Sequence, residues 1–84
     1  MTKEEVFQVV KRNLIEILPS LNEININPLK SMKDLGANSI ERVDVIIGTM
    51  EELNLRFPPH ELGGLDNIQS LVDTLHSRCQ HRDL

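Results

Sequence analysis

Apolar residues recur at three- and four-residue intervals in three stretches of this 84-residue chain, and no stretch alternates apolar with polar as a half-buried strand does. A pattern of that kind admits helices packed by one face and little else. In the first stretch Val6, Phe7, Val10, Leu14 and Leu18 share a face. Thr2 stands at the N-cap, and Glu5, three residues on, completes a capping box. Pro19 ends the stretch, because the residue before a proline is pushed out of the helical region, so a helix over residues 3–18 is expected. The second stretch opens with Asn38 as cap and Glu41 at the box position. Ile40, Val43, Ile46, Ile47, Met50 and Leu53 form its apolar stripe, which fades near Asn54. In the third, Asp66 is the expected cap with Gln69 at the box position, and Ile68, Leu71, Val72, Leu75 and Cys79 form the face to be buried.

The connections are as informative as the helices. Ser20 to Asn38 is a long polar segment holding Asn22, Asn25, Asn27, Pro28 and Gly36, all loop-favouring types. Leu21, Ile24, Ile26, Leu29, Met32 and Leu35 punctuate it, so the segment is expected to pack on the core. Pro59 starts a short turn of helix through Leu62, which Gly63-Gly64 ends. The expected fold is all-α: a small four-helix bundle of three main helices and one short one. It forms one domain over residues 1–84, with an ordered core over about 3–79 and a polar tail at 80–84.

Several functions are disfavoured by composition. Only 2% of residues are aromatic, so platforms for stacking single-stranded nucleic acid are missing. The net charge of −4 repels DNA, RNA and anionic membrane surfaces. The longest aliphatic run, Val45-Ile46-Ile47, is far too short to span a bilayer. One cysteine forms no internal disulfide, and Met1 to Glu5 lacks a secretory layout, so a cytoplasmic location is expected. His76, Cys79 and His81 lie close in sequence, but their spacing is loose and a fourth ligand is missing, so no metal site is expected. Cys79 reads instead as a small apolar residue. With the three stripes buried, no large apolar face remains, so a monomer is expected.

The chemistry-bearing stretch is Asp34-Leu35-Gly36-Ala37-Asn38-Ser39-Ile40. Leu35 pins a loop to the core, Gly36 permits a turn closed to most residues, and Ser39 lies just inside the start of a helix. The unsatisfied N–H groups and the positive end of the helix dipole gather there, and both stabilise an anion such as a phosphodiester on the serine oxygen. On position alone Ser39 is a helix-start residue without chemistry, the usual meaning of serine there. As a catalytic nucleophile it lacks an oriented base: the nearest histidine in sequence is His60, and nothing places it. A chain too short for a deep pocket beside its core is expected to carry or present something, not to catalyse.

That string resembles the signature of the acyl carrier proteins, in which a leucine-glycine loop leads to Asp-Ser-Leu, and the resemblance covers nearly the whole chain. It implies that Ser39 carries a covalent 4′-phosphopantetheine arm, that Ile40 packs under the arm, and that Gly36 shapes the approach. The family's aspartate before the serine is Asn38 here. That aspartate helps bind metal at the modifying transferase, and an uncharged amide oxygen ligates magnesium more weakly.

Residues 36–43, Gly-Ala-Asn-Ser-Ile-Glu-Arg-Val, look like the discrete donor carriers of polyketide β-branching cassettes. The implied cargo is malonyl, then acetyl after decarboxylation. The implied partners are a phosphopantetheinyl transferase, an acyltransferase, a decarboxylating ketosynthase-like enzyme and an enzyme resembling hydroxymethylglutaryl (HMG) synthase. Glu41, Arg42 and Asp44, with Asp34, are the candidate docking residues on a face that also bears Glu51 and Glu52. Ile47 and Met50 are read as core residues that also have the option of sheltering an acyl chain. Two alternatives stay open: a general fatty-acid or other polyketide carrier, and an unmodified helical interaction module.

Overall fold

The structure, a computed structural model, describes residues 2–21, 26–56 and 67–81, the last two of these for the backbone alone. Its elements are α1 (Lys3–Ile17), α2 (Ser39–Leu53) and α3 (Ile68–His81). The expected short helix near Pro59, together with His60, Asn22, Ile24, Asn25 and the end of the tail, lies outside the described residues. No helix among the described residues is long and apolar enough to cross a membrane.

Both anticipated capping boxes form. Thr2 Oγ1 accepts the Glu5 N–H at 3.1 Å while the Glu5 carboxylate accepts the Thr2 N–H at 2.9 Å. Asn38 Oδ1 accepts the Glu41 N–H at 2.8 Å, and Glu41 Oε1 accepts the Asn38 N–H at 2.9 Å. At the other end of α2, Asn54 takes the left-handed conformation (φ 58°), and its N–H returns to the carbonyls of Met50 and Glu51. The expected cap of α3, Asp66, lies outside the described residues; at the start of the helix Asn67 Oδ1 accepts the Ser70 N–H at 2.8 Å, and the Leu71 N–H reaches the Asn67 carbonyl.

Val6, Val10 and Leu14 of α1 meet Val45, Ile46, Met50 and Leu53 of α2 and Ile68, Leu71, Val72 and Leu75 of α3. Burying each such side chain contributes about 1.5–3 kcal/mol. Ile26 and Leu55 from the connections complete the cluster, and Met32, Leu35 and Cys79 pack at its edge. α2 departs from the expected stripe. Val45 and Thr49 are buried, whereas Ile40, Val43 and Ile47 are 72%, 45% and 39% exposed. Apolar residues occupy more than half the circumference of α2, so its periodicity leaves the buried arc undecided, and contact chiefly with α1 selects it. The ground for expecting no exposed apolar face is thereby removed, since Ile40, Val43 and Ile47 form one along α2.

α1 packs closely on α2 at Gly48. A Cβ there overlaps Asn13 Oδ1 and lies 3.2 Å from Asn13 Cγ. Asn13 is buried and held in place, its Nδ2 donating to the Val9 carbonyl at 2.9 Å and to Glu52 at 3.2 Å. Arg12 pairs with the same Glu52 carboxylate.

The connection before α2 contains one more organised unit. Ser31 and Asp34 bond reciprocally: the Asp34 N–H donates to Ser31 Oγ at 3.0 Å, and the Ser31 N–H donates to the Asp34 carboxylate at 3.2 Å. The turn closes as helices do, with Gly36 N–H to the Lys33 carbonyl and Ala37 N–H to the Met32 carbonyl, both at 3.0 Å. Gly36 sits at φ 103°, a conformation that side-chain-bearing residues rarely adopt. The turn is fastened to α3 by two bonds between segments, from Ile68 N–H to the Lys30 carbonyl (3.0 Å) and from Gln69 N–H to the Pro28 carbonyl (2.9 Å).

Two predictions come from these contacts. Gly48→Ala, ordinarily stabilising within a helix, is expected to destabilise by about 1–3 kcal/mol in urea unfolding. In an Asn13→Ala background the cost should vanish, leaving the ~1 kcal/mol preference for Ala over Gly; an unchanged cost would show that Asn13 is not the obstacle. The Ser31 N–H, then the Ser31 hydroxyl, hold the Asp34 carboxyl below its usual value, and Lys30 and Lys33 add to the shift. A lowered folded-state pKa means that the contribution is complete above the unfolded value of about 4 and is lost as pH falls through the folded one. Protection of the Ser31 and Asp34 amides, measured against their intrinsic exchange rates, should therefore fall as pH drops below about 4 in the wild type, whereas Asp34→Asn should show no such acid-dependent step.

Candidate functional site

The turn at 31–37 and the cap of α2 follow one another without a break, and together they fix Ser39. The turn ends at Gly36, and Ala37 is buried, so the chain enters the corner anchored. Asn38 is extended (φ −77°, ψ 178°), and the Arg42 N–H bonds its carbonyl at 2.9 Å, starting α2. Ser39 is the first helical residue and is exposed.

Of the four N–H groups at the start of a helix, the capping box satisfies those of Asn38 and Glu41. The N–H groups of Ser39 and Ile40, and the Ser39 hydroxyl, have no hydrogen-bond partner among the described residues. Two outward amides and a dipole end beside an exposed hydroxyl suit a phosphate ester on that oxygen. Among all the side chains near the start of α2, Ser39 alone supplies such a hydroxyl within the first turn. The donor set therefore fits a phosphopantetheine group.

The other anticipated residues gather around this corner. Gly36 and Asn38 form its backbone, and Ile40 is the exposed apolar neighbour of Ser39. Asp34 is exposed on the preceding turn. Glu41 is half-buried because its carboxylate folds back on Asn38, so one of its oxygens already serves the cap. Arg42 is half-buried and Asp44 is exposed. Asn38 Oδ1 is likewise engaged by the Glu41 N–H, so this amide is first of all a cap.

The sequence reading missed the Ser31–Asp34 turn, whose signal was present: a serine, an acid three residues on, and a glycine two residues later. It also missed Val43 as part of the exposed face beside Ser39. Among the described residues, no three His, Cys, Asp or Glu side chains gather where a metal ion is within reach of all of them.

Comparison with known proteins agrees with this geometry. The family described as phosphopantetheine attachment site (PP-binding) matches residues 8–75. The chain is 35% identical over 80 residues to the polyketide biosynthesis acyl-carrier-protein AcpK of Bacillus subtilis (strain 168), covering 95% of this chain and 98% of that one. It also superposes, with a TM-score of 0.82 and 39% identity, on a chain in the crystal structure of the curacin biosynthetic pathway HMG synthase in complex with acetyl donor-ACP, covering 90% of this chain and 96% of that one. A family match over most of its length, with the helical fold to go with it, makes this chain a member of the phosphopantetheine-attachment family, an acyl carrier protein that bears covalent 4′-phosphopantetheine.

Proposed function

We propose that Ser39 is the attachment point, and that the chain acts as one non-catalytic carrier unit delivering malonyl-derived acetyl groups to an HMG-synthase-like enzyme of polyketide β-branching. The observation that carries the choice of Ser39 is its exposed hydroxyl beside two first-turn amides without partners among the described residues. When bound, phosphopantetheine supplies a thiol that holds the acyl group as a thioester. The chain's own work is to fix the ester oxygen at a rigid corner and to offer the adjoining face of α2 to enzymes. Tethering then raises the local concentration of the acyl group at each of them.

The donor reading draws support from residues 36–43 and from the similarity to a carrier crystallised with an HMG synthase. A phosphopantetheinyl transferase, an acyltransferase and a decarboxylating ketosynthase-like enzyme are the further partners it requires. For docking, α2 offers Ile40, Val43 and Ile47 as an exposed apolar stripe with Asp44 and Glu51 on the same side. Apolar contact flanked by acid suits an enzyme patch with an apolar centre and a basic rim.

The test is a reconstituted condensation with an HMG-synthase-like enzyme. The acetyl-loaded protein should support turnover, and Asp44→Lys should raise KM by about tenfold with little change in kcat. Equal turnover from an unrelated loaded carrier would contradict the donor assignment.

A further inference from the structure

Arg42 is the one cation of α2, and although half-buried its guanidinium has no hydrogen bond, ion pair or ring contact among the described residues. The cations of α1 are all engaged: Lys3 pairs with Asp73, Lys11 lies over the Phe7 ring, and Arg12 pairs with Glu52. The acids nearest Arg42 in sequence do not take it. Glu41 folds back on the Asn38 N–H, and Asp44 stays exposed without it. A partly desolvated charge without a partner is unfavourable for stability, so its place suits an anion that the unmodified chain does not supply. Asn38 shows a similar surplus. Its Oδ1 accepts the Glu41 N–H at 2.8 Å, and its side-chain NH2 has no partner among the described residues. Aspartate caps a helix about as well, so capping alone does not require an amide here. What the amide adds is a donor beside Ser39 in place of another negative charge.

Resting on the reading of Ser39 as the attachment point, we propose that the Arg42 guanidinium and the Asn38 side-chain amide hold the phosphodiester of the phosphopantetheine arm, so that the arm leaves α2 from a fixed base. Ser39 and Arg42 are three residues apart on α2, a spacing that brings Cβ atoms to about 5–6 Å from one another. Side chains on a helix lean toward its N-terminus, so an arginine at this position covers the turn that bears Ser39. Its planar fork matches the two free oxygens of a phosphodiester. The need for such donors comes from Glu41. Its carboxylate already occupies the first turn, 2.9 Å from the Asn38 nitrogen, and a phosphodiester on Ser39 adds a second anion there. Like charges so close repel, and the Arg42 and Asn38 donors offset that repulsion. An arm held at its base searches a smaller volume, which raises the concentration of its thioester at a docked enzyme.

The experiment compares the protein before and after phosphopantetheine loading, in wild type and Arg42→Gln, with intact mass to verify loading. The readouts are the side-chain N–H signals of Arg42 and Asn38 in NMR, and Tm at low salt. Loading the wild type should slow solvent exchange of the Arg42 Nε–H by about threefold or more, and move the Asn38 Nδ2 pair. It should also raise Tm by about 3 °C or more, a gain that about 0.5 M sodium chloride reduces. In Arg42→Gln the rise should fall below about 1 °C. An Arg42 Nε–H that exchanges as fast after loading as before, an unmoved Asn38 pair, or the same Tm change in both proteins would overturn the inference, while the gain in mass leaves the Ser39 reading standing. If Arg42→Gln fails to load, the wild-type signals decide alone. A wild type that gains no mass would overturn the Ser39 reading and this inference with it.

Discussion

Two carbonyls of an irregular segment, Pro28 and Lys30, accept the first amide hydrogens of α3. The start of a helix leaves such amides without intrahelical partners, and the irregular segment leaves carbonyls in the same condition. Each therefore satisfies the other, and the connection before α2 becomes a fixed part of the bundle. Everything at the candidate site depends on that fastening. The Ser31–Asp34 turn follows directly from Lys30, Gly36 reverses the chain, Ala37 is buried, and Asn38 opens α2. Ser39 consequently sits at the end of a series of hydrogen-bonded turns, although no regular element among the described residues precedes it within the connection. For a residue that has to be found by one enzyme after another, such preorganisation lowers the ordering cost of each encounter.

α2 serves two surfaces at once. Its inner arc of Val45, Ile46, Met50 and Leu53 joins the core, and its outer arc of Ile40, Val43 and Ile47 faces solvent beside Ser39. A helix apolar on more than half its circumference usually lies deep inside a larger protein. Here Ile40, Val43 and Ile47 are exposed, so the outer arc is available to a partner. The interspersed carboxylates of Asp44 and Glu51 keep it hydrated between encounters.

Much of this was legible in the sequence, and the exceptions have physical causes. The capping boxes at Thr2 and Asn38 are local chemistry, complete within four residues, and both formed where the spacing placed them. Gly36 was legible for the same reason, since a positive φ is a local demand. Which arc of α2 turns inward was not legible, because periodicity reports the width of an apolar face and not its direction. The bonds from the Ile68 and Gln69 amides to the Lys30 and Pro28 carbonyls were not legible either, because a tertiary contact is contained in no local rule. The burial of Thr49, whose hydroxyl has no partner among the described residues, was equally hidden, since threonine in a helix ordinarily turns to solvent or to its own backbone.

The central claim is that the Ser39 hydroxyl accepts the phosphopantetheine group. Its most direct test is intact mass after incubation of the purified protein with coenzyme A, magnesium and a broad-specificity phosphopantetheinyl transferase, with Ser39→Ala alongside and circular dichroism to verify that both are folded. The account predicts a gain of one phosphopantetheine in the wild type and none in Ser39→Ala, with equal helix content. A folded wild type that arrives unmodified and gains nothing with several transferases, or a Ser39→Ala protein that gains the same mass, would contradict it.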